Sequence, residues 1–525
     1  PPPEPPPPPA SPAARLFADR AAAVGRPVGE ADLAHVGNIC RALDGLPLAI
    51  ELAAARLRTL SVADVAARLD DRFRLLARGS RTALPRHQTL RAVVAWSWDL
   101  LGADEQRMAR RLTVFAGGAR PGSAERVCGL PEELLFSLAE KSLVEVVDGR
   151  YRMLETIRAF CAERLTESGE AERTRLAHAE HYQDLAIEAD GHLRKREQLT
   201  WLARLDEESD ELATAVRWAA ESGRHDLGLR ILGYSACYWW MRGHRATSAA
   251  LAGGLLATMG PDAPAGLEEE YAMTVLVAAW RREPDDALRA RLAEVRRRLP
   301  IDFIPERLEF FTMMLPLFAG PPLGDYDSVR KLMDEFVGHL QPWSQALSHS
   351  GVGFLLQVVG RREEATAELA RGLAEFRALG ERWGATLVLA GLSDLAAERG
   401  DHAEARDLAE QALVLSRELG AAADTAENMC RRADAMVRLG ESEAARADYL
   451  RAAELSRRIG GSGDTMARAH VGLAELAELH GDLTTARALM EQARAECPAD
   501  WYVAAETRDR VRQGLTRLAQ PVSDR

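Results

Sequence analysis

Apolar residues recur along this chain mostly at every third or fourth position, the spacing that lines one face of a helix, and give way to alternation near residues 142–154. Between Pro12 and Leu101 helical stretches follow one another with short breaks. The run Ala31–Leu43 predicts a helix that stops at Asp44-Gly45, where glycine can take the left-handed cap conformation. A second helix is predicted from Pro47 to Leu57. At Ser61-Val62-Ala63-Asp64 a hydroxyl is followed three positions later by a carboxylate, the pairing that satisfies free amides at a helix start, and a third helix is predicted to run to Asp70. From Leu90 helices are predicted at Val93–Leu101, Asp104–Phe115 and Pro131–Lys141. Two strands follow, Ser142–Val147 and Arg150–Leu154, about an Asp148-Gly149 turn whose residues both tolerate positive φ, and then a further helix. That is the order of a winged helix.

Beyond Glu172 the pattern is helical almost throughout, and a period emerges. Gly360, Gly400, Gly440 and Gly481 recur at intervals of 40, 40 and 41 residues, each followed by a polar start and an alanine-rich helix. Gly380, Gly420 and Gly460 interleave with them and close the second helix of each unit. A single helical hairpin cannot bury its apolar face, so stacked hairpins are predicted, with alanines letting paired helices approach. The period exceeds the tetratricopeptide length of roughly 34 residues by about six, and a tetratricopeptide-like superhelix is the expectation. Trp218–Met241 and Val329–Phe354 read as more degenerate units. The fold class predicted is mostly α: a small helical subdomain, a winged helix, then an α-solenoid of helical hairpins.

Composition narrows the chemistry. The net charge of -12 argues against a surface built to coat nucleic acid, although a local basic patch remains compatible with it. No apolar run approaches the roughly 18 residues needed to span a bilayer, so no membrane partner and a cytoplasmic location are expected. Cys40, Cys128, Cys161, Cys237, Cys430 and Cys497 lie far apart, which predicts reduced, mostly buried thiols and no metal site. Nine of the first twelve residues are proline, a composition that reads as a linker preceded by further chain. Only three lysines occur among 67 basic residues, and Lys141, Lys195 and Lys331 each follow a charged residue. A phosphate-binding loop needs glycine directly before its lysine, so none is present and no catalytic residue is assigned.

Two stretches carry a more specific signal: "RALDGLPLAIELAAARLRTLSVADVAARLDDRFRLL" at Arg41–Leu76 and "HQTLRAVVAWSWDLL" at His87–Leu101. With "RRLTVFAGG" and "YRMLETIRAFCAERL" further on, they closely resemble the ARC and winged-helix segments of the STAND class, the signal transduction ATPases with numerous domains. The resemblance covers Ala14–Ser168; over the repeats it is looser, and follows large actinobacterial regulators, including the antibiotic regulatory proteins. Together with the composition and the period, it divides the chain into six segments: a proline-rich linker at 1–13, an ARC-like subdomain at 14–86, a winged helix at 87–170, degenerate repeats at 171–345, tetratricopeptide-like repeats at 346–518 and a tail at 519–525. It implies that ADP or ATP is held, in an intact parent, between these modules and an upstream α/β nucleotide-binding domain. Gly45, Leu46, Pro47 and Leu48 match the family's GLPL motif on the adenine side; the alternative is a plain glycine stop and proline start between two helices. Met153, Leu154 and Glu155 match a Met-His-Asp motif in which histidine reaches the ADP phosphate. Leu154 cannot donate there, and Glu155 equally suits a helix N-terminus, so the three are switch candidates.

The remaining candidates are weighed on charge and spacing. The third winged-helix helix, with Glu132, Glu133 and Glu140 against Lys141, would repel phosphates, so DNA contact by the parent is assigned to another domain. His178 and His181 sit three apart with no third ligand, and a solvated face is expected. Gly460–Asp464 reads as loop punctuation. Tyr238, Trp239, Trp240 and Trp343 are candidates for a ligand or partner surface, with packing as the alternative. The resulting expectation is the regulatory and sensor portion of a STAND-type transcriptional regulator, in which the repeats take a protein partner or small inducer. Homo-oligomerisation on activation and slow ATP hydrolysis are implied only for the parent. The alternative is a stand-alone protein-interaction scaffold.

Overall fold

The structure is a computed structural model and describes residues 11–43, 45–76, 85–280, 285–298, 307–310, 331, 337–459, 463–497 and 505–519. Within it the chain forms two compact units, one comprising Pro1–Tyr182 with Asp210–Trp218, the other Gln183–Ser209 with Ala219–Arg525. Asp44, the proline-rich start, Pro498 and the tail beyond residue 519 lie outside the described residues, as do most of Gly460–Asp464 and part of Val329–Phe354.

The first unit begins with helices α1 (Pro12–Ala23), α2 (Leu33–Ala42), α3 (Pro47–Ala55) and α4 (Val62–Leu76). Ser11 caps α1, accepting from the Ala14 amide at 3.1 Å. The Ser61–Asp64 capping box forms as predicted: Ser61 Oγ accepts from the Asp64 amide at 3.1 Å, and Asp64 Oδ2 accepts from the Ser61 amide at 3.1 Å. The helix it starts continues past Asp70 to Leu76, because neither glycine nor proline interrupts that stretch. In α3, Ala49, Ile50, Leu52, Ala53 and Ala54 are all fully buried, so this short helix is enclosed on nearly every side.

The winged helix follows α5 (Pro85–Asp99) and consists of α6 (Ala103–Arg111), α7 (Pro121–Cys128), α8 (Glu133–Glu140), the strands β1 (Glu145–Val147) and β2 (Arg150–Arg152), and α9 (Glu155–Glu167). The hairpin register is Val147↔Arg150, closed by Asp148 and Gly149, both with positive φ. Helix α7 was not foreseen, nor was a third strand position: Ala119 pairs antiparallel with Tyr151 as an isolated bridge. Both are short, eight residues and one residue, and too brief to leave a periodic signal.

Helices α10 (Ala171–Leu193), α11 (Gln198–Glu207) and α12 (Ser209–Glu221) come next. The second unit continues with α13 (His225–Met241), α14 (Arg245–Ala257), α15 (Glu268–Ala278) and α16 (Asp286–Arg298). Then come the hairpins α17/α18 (Pro342–Val358, Arg362–Leu379), α19/α20 (Trp383–Glu398, His402–Glu418), α21/α22 (Ala422–Arg438, Ser442–Arg458) and α23/α24 (Gly463–Leu479, Leu483–Glu496), with α25 (Ala505–Ala519) after them. Gly360, Gly400, Gly440 and Gly481 occupy the turns inside these hairpins with φ of 81°, 83°, 82° and 78°, which is why glycine marks the period. The first helices of successive hairpins also touch one another, forming a layer.

Candidate functional site

The Gly45 turn is built by two backbone hydrogen bonds, Gly45 N to Cys40 O and Leu46 N to Leu43 O, both 3.0 Å. Gly45 takes φ +67°, and a Cβ there would meet nothing within 4 Å. Gly45 and Pro47 are exposed and Leu46 half-buried, so the turn offers an open edge above a buried helix; of Leu48 only its helical backbone is described. From that turn the packing runs α3 to α5 to α9, the helix that begins at Glu155. Buried Arg56 donates to Ser97 O at 3.2 Å, and its guanidinium is lowered to about 10, first by burial, with Glu105 opposing. Arg58 pairs with Glu140 at 3.1 Å, joining the segment after α3 to α8.

Side chains at the C-terminal end of the third winged-helix helix make contacts within their own unit, while Phe136 on it is exposed. Glu140 meets Arg58, and Lys141 pairs with Glu105, which also accepts from Ser137. Burial raises the Glu105 carboxyl, but the donors Lys141, Ser137 and the Gly102 amide outweigh it and hold it below its ordinary value. At the start of α10, Glu170 takes Arg111 at 2.7 Å and Arg110 at 2.8 Å, and these bonds bring it down to about 2 against a smaller effect of burial.

Met153 is half-buried, while Leu154 and Glu155 are exposed. Leu154 occupies the N-cap of α9 without a side-chain hydrogen bond, and Glu155 stands in the first turn, where a carboxylate suits the helix dipole. His178 does not lie on a solvated face: it is buried, its Nε2 2.9 Å from Glu211 Oε2, its ring between Phe115 and Tyr182. His181 Nε2 is 3.1 Å from Ser123 Oγ. Among the described residues no group of three or more His, Cys, Asp or Glu could hold a metal ion. Five of the six cysteines are buried, and burial pushes Cys128, Cys161 and Cys430 up to about 12.

The aromatic candidates divide. Tyr238, Trp239 and Trp343 are 0%, 2% and 3% exposed, so they pack the interior instead of presenting a surface. Tyr238 donates to Asp206 at 3.2 Å. Trp240 is half-buried and sits under the Arg245 guanidinium at 4.0 Å; Phe310 links it to Trp343, with ring centroids 6.4 Å from each.

Sequence reasoning missed the polar face of the first-helix layer. Arg431 bridges Asp394 at 3.2 Å and Glu427 at 2.7 Å; Arg468 meets Asp434 at 2.7 Å; Arg510 meets Asp434 at 3.2 Å and Glu475 at 2.9 Å. Each arginine thereby ties one first helix to the next. Burial raises Asp434, but Arg510 and Arg468 overcome it and hold the carboxyl well below its usual range. Asp424 is pushed up to about 6 by burial. The legible signal was the run Asp424, Glu427, Arg431, Asp434 at three- and four-residue spacing on one face of an otherwise alanine-rich helix. At the N-terminus of α19, buried Glu381 accepts from Gln198 and from the Trp383 and Gly384 amides at 2.8 and 2.6 Å, and burial pushes it up to about 7. No described helix is long and apolar enough to cross a membrane.

No known family profile matches the chain. Proteins named as HTH-type transcriptional regulators in Mycobacterium tuberculosis and Mycobacterium bovis are 40% identical over 245 residues, which is 44% of this chain and 28% of theirs. Uncharacterized proteins of the same organisms are 42% identical over 183 residues, covering 32% of this chain and 47% of theirs. This chain therefore spans less than half the length of the curated relatives it matches. Among solved structures, a signal transduction ATPase with numerous domains carrying a tetratricopeptide repeat sensor, from Pyrococcus horikoshii, aligns over 90% of this chain and 72% of its own at 13% identity and a TM-score of 0.49. A Rap protein complexed with competence and sporulation factor aligns over 65% and 99% at 11% identity and a TM-score of 0.40. By its own hairpins, helices and strand pair, the protein is a helical-repeat protein with a winged-helix-like element. Over part of its length it is related to mycobacterial proteins named as transcriptional regulators.

Proposed function

We infer that this chain is the regulatory and sensor portion of a STAND-type transcriptional regulator. The layered hairpins of the second unit take a protein partner or small inducer, and the first unit couples its presence to the ADP or ATP state of an upstream nucleotide-binding domain. The observation that carries this reading is the arrangement of the first unit. A Gly45-Pro47 turn, exposed at both of those residues, leads into a largely buried helix, and that helix packs through α5 onto the α9 helix headed by Met153–Glu155. Nucleotide contact on that edge would be felt at the winged helix through fixed packing. A ligand shifts such an equilibrium only by its differential affinity for the two states, so the repeats must bind more tightly in one of them. Hydrolysis belongs, in this reading, to the upstream domain, and DNA contact to another domain of the parent.

The test uses the longer protein with its nucleotide-binding domain. Pro47 and Pro342 both start helices at the first position, so Pro47→Ala and Pro342→Ala carry the same local change. Labelled ADP is expected to leave the Pro47→Ala protein several-fold faster and the Pro342→Ala protein at the unaltered rate. Equal off-rates would reduce the motif to a helix junction and remove the reading.

A further inference from the structure

Two helices are divided between the units: α10 contributes up to Tyr182 to the first and its remainder to the second, and α12 contributes Asp210–Trp218 to the first with Ser209 and Ala219 in the second. Inside the first unit one side chain joins them. Glu211, on α12, is completely buried. Its Oε2 accepts from the Ala116 amide at 3.0 Å and lies 2.9 Å from His178 Nε2 on α10; its Oε1 accepts from the Gly117 amide at 2.6 Å. The carboxylate thus fixes both helices to the loop Phe115–Ala119.

That loop in turn is fastened to the wing. Gly118 O accepts from Arg150 Nη2 at 2.6 Å, and Ala119 and Tyr151 exchange backbone hydrogen bonds at 3.0 and 2.8 Å. Gly118 has φ +83°, and a Cβ there would come within 2.7 Å of Tyr151 O, so loop and strand are in backbone contact with no room for slack. Arg150–Arg152 runs directly into Met153, Leu154 and Glu155.

We propose that Glu211 is a positioning residue that locks the two divided helices to the wing, so that displacement of α12 reaches Met153–Glu155 through the Ala116–Ala119 loop. This rests on the regulatory reading above and supplies its transmission element. The coupling is a set of hydrogen bonds made together or lost together, because an amide left unpaired in a buried site is costly. Coupling through such a network must also be reciprocal.

Hydrogen exchange on the full chain tests it without nucleotide, so failure here leaves the ADP experiment standing and the reverse. In Glu211→Gln, one acceptor oxygen becomes a donor facing an amide. Exchange at Ala116, Gly117 and Tyr151 is expected to accelerate on the order of tenfold, as one unpaired buried amide implies, with Glu221→Gln, at the exposed end of the same helix, unchanged. Acceleration confined to Ala116 and Gly117, or spread evenly over the first unit, would overturn the proposal. Should Glu211→Gln not fold, Arg150→Gln perturbs the path from the wing. The Ala116 and Gly117 amides must then exchange faster, and wild-type rates at both would refute the coupling.

Discussion

Replacing glycine by alanine inside a helix ordinarily stabilises it, by about 1 kcal/mol, because the glycine backbone loses more freedom on folding. The repeat array predicts that this sign reverses at Gly472. A Cβ there would fall among the ring atoms of Tyr449, within 2.5 Å of Cε2. The ring cannot swing aside freely: Tyr449 is 1% exposed, and its hydroxyl donates to Asp434 at 2.5 Å. Asp434 also receives Arg468 and Arg510, so moving the ring disturbs the ion pairs that tie α21 to α23 and α25. Overpacking costs about 1–3 kcal/mol, and losing a hydrogen bond to a charged acceptor about 1.5–3 kcal/mol. After the helix gain is set against these, Gly472→Ala should destabilise by about 1.5–5 kcal/mol. Gly351 is the control, since it lies in α17, is exposed, and has nothing within 4 Å of its added Cβ. Urea denaturation followed by far-ultraviolet circular dichroism should show a lowered midpoint for Gly472→Ala and an unchanged or raised one for Gly351→Ala. A Gly472→Ala protein as stable as the parent would refute the packing account of the first-helix layer.

Three further outcomes follow from the same physics. Glu170 is depressed to about 2 in the folded state, below its unfolded value, so its contribution is present above about pH 4.5 and is lost as pH falls toward 2. Glu170→Gln should therefore lower stability by about 2 kcal/mol at neutral pH, with the gap closing below about pH 3 in acid-titrated thermal melts. Gly118→Ala combines left-handed strain with a backbone clash and should cost about 3 kcal/mol, whereas Gly149→Ala, with φ +75° and open space, should cost about 1 kcal/mol. Comparable melting temperatures for the two would contradict the close approach of loop and wing. Arg431→Ala leaves Asp394 and Glu427, 36% and 38% exposed, without their shared cation and should destabilise the array by about 1–2 kcal/mol, read as an earlier urea midpoint than for Arg451→Ala. Arg451 is itself paired with Asp448, but on a side chain 61% exposed.

The inferred sensor role places demands on these contacts. Arg431, Arg468 and Arg510 each pair with a carboxylate on a neighbouring first helix, so bending between those repeats would have to break ion pairs.

Local chemistry was legible wherever a residue type has one cheap solution. The recurring glycines announced the hairpin turns, since left-handed backbone is open to few residues. Ser61 with Asp64 announced a helix start, and Asp148-Gly149 a tight hairpin. Periodic apolar positions fixed the mostly helical class and the stacking of hairpins. What the chain's order could not disclose depended on distance in space. Glu211 reads as one more acid on an amphipathic helix until folding brings the Ala116 and Gly117 amides, 95 and 94 residues away, onto its oxygens. His178 looked solvated because its neighbours in sequence are polar, but the groups that enclose it include Phe115 and Glu211 from elsewhere in the chain. The tryptophans looked available because their environment is set by Phe310 and Arg194, not by adjacent residues. Helix, turn and period are short-range properties of backbone sterics and side-chain pattern; burial and the partners of a charge are long-range ones, fixed only when the helices pack.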